Sequence, residues 1–137
     1  MTDPNLQGIL ATMPFAVALG IELDKATPDE VVGRMPWAPE RCTAGGVLHG
    51  GALMGLADSL GGVCAFLNLP EGAGTATISS STNLLRAVRE GEVTATCRPV
   101  HVGRSVIVVR TEMHDAAGKP VASTTQAQAV LGGPPTG

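Results

Sequence analysis

Between Cys42 and Pro70 the chain carries only two acid–base side chains, His49 and Asp58, nine residues apart. A carboxylate can take a proton from water as a general base, or attack a carbonyl carbon as a nucleophile. An imidazole can carry a proton or fix a loop by hydrogen bonding, and the second role is expected for His49. His49 leads into Gly50 and Gly51. Unobstructed backbone N–H groups at a helix start attract negative charge as it develops. A metal would need a third ligand at suitable spacing beside His49 and Asp58, and none stands out, so no metal is expected. Cys42, seven residues before His49, reads as a small apolar side chain. The chain has neither a Gly-x-x-x-x-Gly-Lys phosphate loop nor a dinucleotide fingerprint, and no cofactor is expected.

The element that must position Asp58 is a helix over Gly50 to Leu67. At 100° per residue, Leu53, Leu56, Leu60, Val63 and Leu67 form one apolar stripe, and Gly51, Gly55, Asp58 and Gly62 form a second on the opposite face. Each interior glycine costs a helix roughly 0.5–1 kcal/mol relative to alanine, so a row of them needs a compensating close approach by backbone or ligand. Asp58 is therefore expected at a contact surface.

Upstream, Asp3-Pro4 reads as a cap and first helical position, which predicts a short helix from Asn5 to about Met13, ended by Pro14. Val17–Leu23 and Val31–Met35 read as a hairpin around Thr27–Glu30, followed by an irregular loop through Thr43 to Leu48. Downstream the period switches to two. Strands are expected over Thr75–Val88, Glu92–Val102, Ser105–His114 and Val121–Leu131, joined as successive antiparallel hairpins. Residues 132–137 read as a disordered tail. An antiparallel sheet wrapped around one buried helix, an α+β architecture, satisfies this order. Val106 and Val108 break the alternation of their strand, which predicts a partly covered outer face, a second subunit being one way to cover it.

A length of 137 residues fits one domain. With aromatic content of only 2% and a net charge of −3 without basic blocks, neither nucleic acid nor a membrane surface is an expected partner. The central apolar stretch is too rich in glycine, and carries a carboxylate at its middle, for a membrane span. Three widely spaced cysteines give no disulfide framework and predict a reducing, cytoplasmic setting.

The sequence Gly46-Val-Leu-His49-Gly50-Gly51, the acid nine residues on, Thr82-Asn-Leu-Leu-Arg86 and the Val102-Gly-Arg104 turn together resemble the hotdog-fold acyl-CoA thioesterases of the phenylacetate-pathway type. The resemblance covers about Pro14 to Leu131. It implies a hotdog fold, a homodimer or a tetramer built of dimers, an acyl-CoA substrate, and a site combining groups from two chains. It puts the catalytic acid at Asp58, the oxyanion-stabilising amide at Gly50 and the loop-supporting histidine at His49. Thr43 falls where the family often has Asn or Gln to hold the water or thioester, and a hydroxyl bonds at one atom only. Gly62 stands where another branch has a hydroxyl, and Ser59 or Ser79 to Ser81 are candidates to replace it. Gly51, Asn83, Arg86 and Arg104 are candidate substrate or CoA contacts, the arginines for phosphate. Gly50 and Asp58 lie about 12 Å apart along one helix, so one chain cannot easily place both around one thioester carbon. Aromatic acyl groups such as phenylacetyl, and medium-chain fatty acyl groups, both fit the resemblance. A non-catalytic acyl-CoA sensor and an enoyl-CoA hydratase are the other readings of this fold.

Overall fold

The computed structural model describes residues 4–133. Two short helices, α1 (Pro4–Ala11) and α2 (Pro14–Ala18), precede the β1 (Glu22–Ala26) and β2 (Val31–Pro36) hairpin. The first helix ends at Ala11, short of the expected Met13, and Pro14 opens a second as its first residue. Val17 therefore lies in α2, and the strand expected from Val17 begins only at Glu22. The Asp3 cap lies outside the described residues.

After a 3₁₀ turn (Pro39–Arg41) comes α3 (Gly50–Leu67), with the bounds that the sequence predicts. Four strands follow, β3 (Ala73–Leu84), β4 (Glu92–Val102), β5 (Val106–His114) and β6 (Pro120–Gly132). Gly132, assigned to the tail by its sequence, pairs with Ala73 as the last residue of β6, while residues 134–137 lie outside the described residues.

The six strands form one antiparallel sheet in the order β1-β2-β4-β5-β6-β3. That order corrects the expectation of four successive hairpins. β3 does not pair with β4; it crosses to the far edge and pairs with β6, with a bulge between Thr77 and Ser79. Leu48 and Val88 link through a backbone bond of 2.9 Å, so the chain leaving β3 returns past the start of α3 before entering β4.

α3 packs against β2, β3, β4, β5 and β6, and the sheet curls around it. Leu53, Leu56, Leu60, Val63 and Cys64 enter a core with Val31, Met35, Val93, Ile107, Val109 and Met113. By length and composition α3 could cross a bilayer, but half of it is buried inside this domain. The buried face of β5 is Ile107, Val109, Thr111 and Met113, in the phase that its alternation predicts.

Candidate active site

α3 starts on an unusual cap. His49 sits in an extended conformation, and its Nδ1 accepts a hydrogen bond of 2.7 Å from the Gly51 N–H. Nδ1 thus acts as an acceptor that caps the first turn of α3. The loop before it is pinned by the chain itself. His49 N–H bonds the Arg41 carbonyl at 2.9 Å, Thr43 N–H bonds Val47 at 2.8 Å, and Trp37 Nε1 bonds Gly46 at 3.0 Å. Gly45 and Gly46 have φ of 82° and 74°, which a side chain would strain.

The N–H of Gly50, at the first helical position, has no partner among the described residues. Gly51 has committed its own N–H to His49, leaving Gly50 as the open donor at this end of the helix. A β-carbon on Gly50 would come within 2.6 Å of the Leu84 side chain, so the helix start and the end of β3 are in close contact. Thr43 is exposed on the same loop, its hydroxyl without a partner among the described residues.

Asp58 is exposed two turns further along α3 and is anchored on one oxygen. Gln126 Nε2 donates to Oδ1 at 2.9 Å and Thr77 Oγ1 donates to the same atom at 3.3 Å. Gln128 Nε2 in turn donates to Thr77 Oγ1 at 2.8 Å. This network directs the Thr77 proton at the carboxylate. Oδ2 of Asp58 has no hydrogen-bond partner among the described residues and opens on a cleft of about 330 Å³ between α2, α3 and β3. The arrangement can accept a proton from a water or attack an electrophilic carbon.

Gln126, Gln128 and Thr77 escaped the reading of the sequence. Gln126 and Gln128 are each only 1% exposed. The available signal was their phase: Thr124, Gln126 and Gln128 occupy the side of β6 that also buries Ala122, where a core strand would carry apolar residues. Ser59 lines the Asp58 cleft and donates its hydroxyl proton to the Gly55 carbonyl at 2.7 Å. Ser79, Ser80 and Ser81 are exposed along β3, and Thr77 stands where they were expected to serve.

The glycines of α3 have separate reasons. A β-carbon on Gly61 would lie 1.9 Å from Gln126 Oε1, so this glycine makes room for the anchor of Asp58. Gly55 admits Leu19 and Phe15 of the α2 segment, and Gly51 admits the His49 ring. Gly62 faces open space, with nothing within 4 Å of its added β-carbon. The row expected to meet another backbone is thus largely filled by side chains of its own chain.

Asn83 pairs in register with Ser123, on the sheet face turned away from α3 and Asp58. Arg86 follows β3 and lines both a groove with Gly50, Leu53 and Leu84 and a neighbouring basin with Arg89 and Lys119. Arg104 sits in the β4–β5 turn, more than about 20 Å from Arg86 along the strands, so one chain does not bring the two arginines together. The three cysteines are free. Cys42 Sγ donates to the Ala38 carbonyl at 3.3 Å, and the hydrogen bond between Cys64 and Cys97 pushes the Cys64 thiol up and the Cys97 thiol down.

Residues 45–122 match the sequence profile of the Thioesterase superfamily. The chain belongs to the thioesterase superfamily. This thioesterase is 30% identical over 113 residues to the 1,4-dihydroxy-2-naphthoyl-CoA hydrolase of Escherichia coli (strain K12), a match covering 82% of this chain and 83% of the relative. It superposes on a crystal structure of a mutant thioesterase PA1618 from Pseudomonas aeruginosa with a TM-score of 0.88 and 28% identity, covering 95% of this chain and 96% of that one. A structure of a hypothetical thioesterase with coenzyme A from Streptococcus pneumoniae TIGR4 superposes with a TM-score of 0.81 and 25% identity over 92% of this chain and 99% of the other. The fold is the hotdog fold of these thioesterases, and the protein is a thioester hydrolase.

Proposed function

We propose that this thioesterase hydrolyses acyl-CoA thioesters at sites shared by two copies of the chain. The observation carrying this reading is an Asp58 carboxylate clamped on Oδ1 and open on Oδ2, two turns from an unpartnered Gly50 amide on the same helix. A carbonyl cannot receive both from one chain at about 12 Å.

β3 supports the pairing that would close the gap. It is a 12-residue edge strand of sequence AGTATISSSTNL, without proline or charge, and such an edge is a template for another strand. Ile78 on it is 59% exposed, and Phe15 and Met54 nearby are exposed as well. Antiparallel pairing of two β3 edges sets the Leu84 end of one copy, with its Gly50, beside the Ala73 end of the other. The partner's Gly50 amide then approaches the cleft of Asp58. Val106 and Val108, half-buried on the face of β5 turned away from α3, support association of such dimers into a tetramer.

Asp58 Oδ2 takes a proton from water as the water oxygen attacks the thioester carbon. The carbonyl oxygen becomes an oxyanion opposite the partner's Gly50 N–H and the positive end of its α3. Collapse of the tetrahedral intermediate breaks the C–S bond, and Asp58 returns its proton to the leaving sulfur, releasing the free acid and CoA and restoring the carboxylate. Thr43, exposed on the loop before Gly50, bonds the water or the thioester. The CoA arm follows the groove from Gly50 past Leu84 to Arg86, which meets phosphate at a basin of mixed charge lined also by Arg89, Lys119, Glu90 and Asp115. Three free cysteines suit a cytoplasmic setting.

Thiol release from octanoyl-CoA and phenylacetyl-CoA tests the activity, with Asp58→Asn expected to lower kcat about 10³-fold. Single turnover in H₂¹⁸O separates the two roles of Asp58. Label confined to the product acid supports the general base, and label in the protein carboxylate shows a nucleophile.

A further inference from the structure

Beside the Asp58 cleft runs a second cavity of about 490 Å³ between α1, α3 and the start of β3. Met13, Gly62 and Thr75 line both, so the two are one continuous space. The walls of the second cavity are Ile9 and Thr12 from the α1 side, Val63 and Phe66 from α3, with no charged residue among them. Its two hydroxyls are already used. Thr12 Oγ1 donates to the Ile9 carbonyl at 2.7 Å, and Thr75 Oγ1 donates to the Ala129 carbonyl at 2.9 Å. Apart from the acceptor lone pairs of these two oxygens the lining is hydrocarbon, so a polar substituent placed there would give up more hydrogen bonds to water than it regains. Gly62 stands at the junction, where any side chain would project into the opening.

We propose that this trough receives the acyl group, and that the enzyme therefore takes acyl-CoAs whose acyl part is extended and wholly apolar, fatty acyl or unsubstituted arylalkanoyl, with Gly62 as the doorway. The inference rests on the acyl-CoA hydrolysis proposed above, because the thioester must lie at Asp58 for the acyl group to point past Gly62. It goes further by excluding hydroxylated aryl substrates as good ones. Each added methylene buried in the trough raises kcat/KM about three- to fourfold until the space is filled.

The test compares kcat/KM for butyryl-, hexanoyl-, octanoyl-, phenylacetyl- and 3,4-dihydroxyphenylacetyl-CoA, alongside Kd for the matching S-alkyl-CoA thioethers, which bind without reacting. Expected are a rise of about three- to fourfold per methylene in both series and a preference of at least about tenfold for phenylacetyl over its dihydroxy analogue. Gly62→Leu should flatten the chain-length series, and Ile9→Gln, on the opposite wall and on a different helix, should weaken it without crowding α3. Hydrolysis with a flat series, or a preference for the dihydroxy analogue, would overturn the trough assignment and leave hydrolysis standing. A thioether affinity ladder without CoA release would keep the trough and remove the catalytic reading. No ladder and no release would remove both.

Discussion

Gln126 Nε2 donates to Asp58 Oδ1 at 2.9 Å from a side chain that is almost wholly buried, while its own Oε1 is buried with no hydrogen-bond partner among the described residues. An unsatisfied buried carbonyl is destabilising, so this residue spends stability to aim a carboxylate. Gln126→Met keeps the shape and removes both polar atoms. The expected result is a gain of about 1 kcal/mol in unfolding free energy together with a roughly tenfold fall in kcat, KM staying within about twofold. A loss of stability without a kcat effect would show a purely structural glutamine. Because a β-carbon at Gly61 would strike Oε1, Gly61→Ala should lower kcat in the native background and do little more in the Gln126→Met background.

His49 caps α3 through Nδ1, and loss of such a cap costs about 1 kcal/mol. His49→Ala is expected to lower Tm by about 3 °C and to reduce kcat as the Gly50 amide loses its fixed place. Asparagine also caps well. His49→Asn should recover most of both losses. Recovery of Tm without recovery of kcat would show that the imidazole has a chemical role beyond holding the loop.

The bare β3 edge should tolerate neither charge nor crowding if it meets its own copy. Ser79 and Ser81 are exposed on the outer face of that strand. Ser79→Glu/Ser81→Glu is expected to shift the protein to monomer in sedimentation and to abolish thiol release, with circular dichroism unchanged. Monomers that retain activity would contradict a shared site.

The Glu30 carboxyl is held below the usual glutamate range by hydrogen bonds from Lys25 and Arg98, which tie the β1–β2 turn to β4. A folded value below the unfolded one gives stability that is present above about pH 4.5 and lost as pH falls through the lower folded value. Thermal unfolding scanned from pH 6 to pH 3 should therefore show a shallower acid decline for Glu30→Gln than for the native chain. The effect is small, because the group is solvent-facing and screened.

How far the sequence reached follows from what each element depends on. α3 was legible to the residue because its apolar period and its glycine start are local. β4, β5 and β6 were legible within two residues for the same reason. The position of β3 at the far edge was not, since pairing with β6 joins Ala73 to Gly132 across most of the downstream chain and no local signal encodes that partner. Pro14 was read as a stop because a proline ends one helix as readily as it starts another. Asp58 emerged from its glycine-rich surroundings, but its partners did not. Gln126 and Gln128 become meaningful only when β6 is known to turn that face toward α3.

Complementation between two inactive variants tests the two-chain site most directly. Asp58→Asn removes the carboxylate, and Gly50→Pro removes the open N–H at a first helical position where proline is well tolerated. Each variant alone should release almost no thiol from octanoyl-CoA. Unfolded together and refolded, random pairing makes about half the dimers mixed, each with one complete site, so roughly a quarter of native activity should return. If the mixture stays as inactive as its parents while mixed dimers are present by mass, Gly50 and Asp58 do not act across the interface and the account fails.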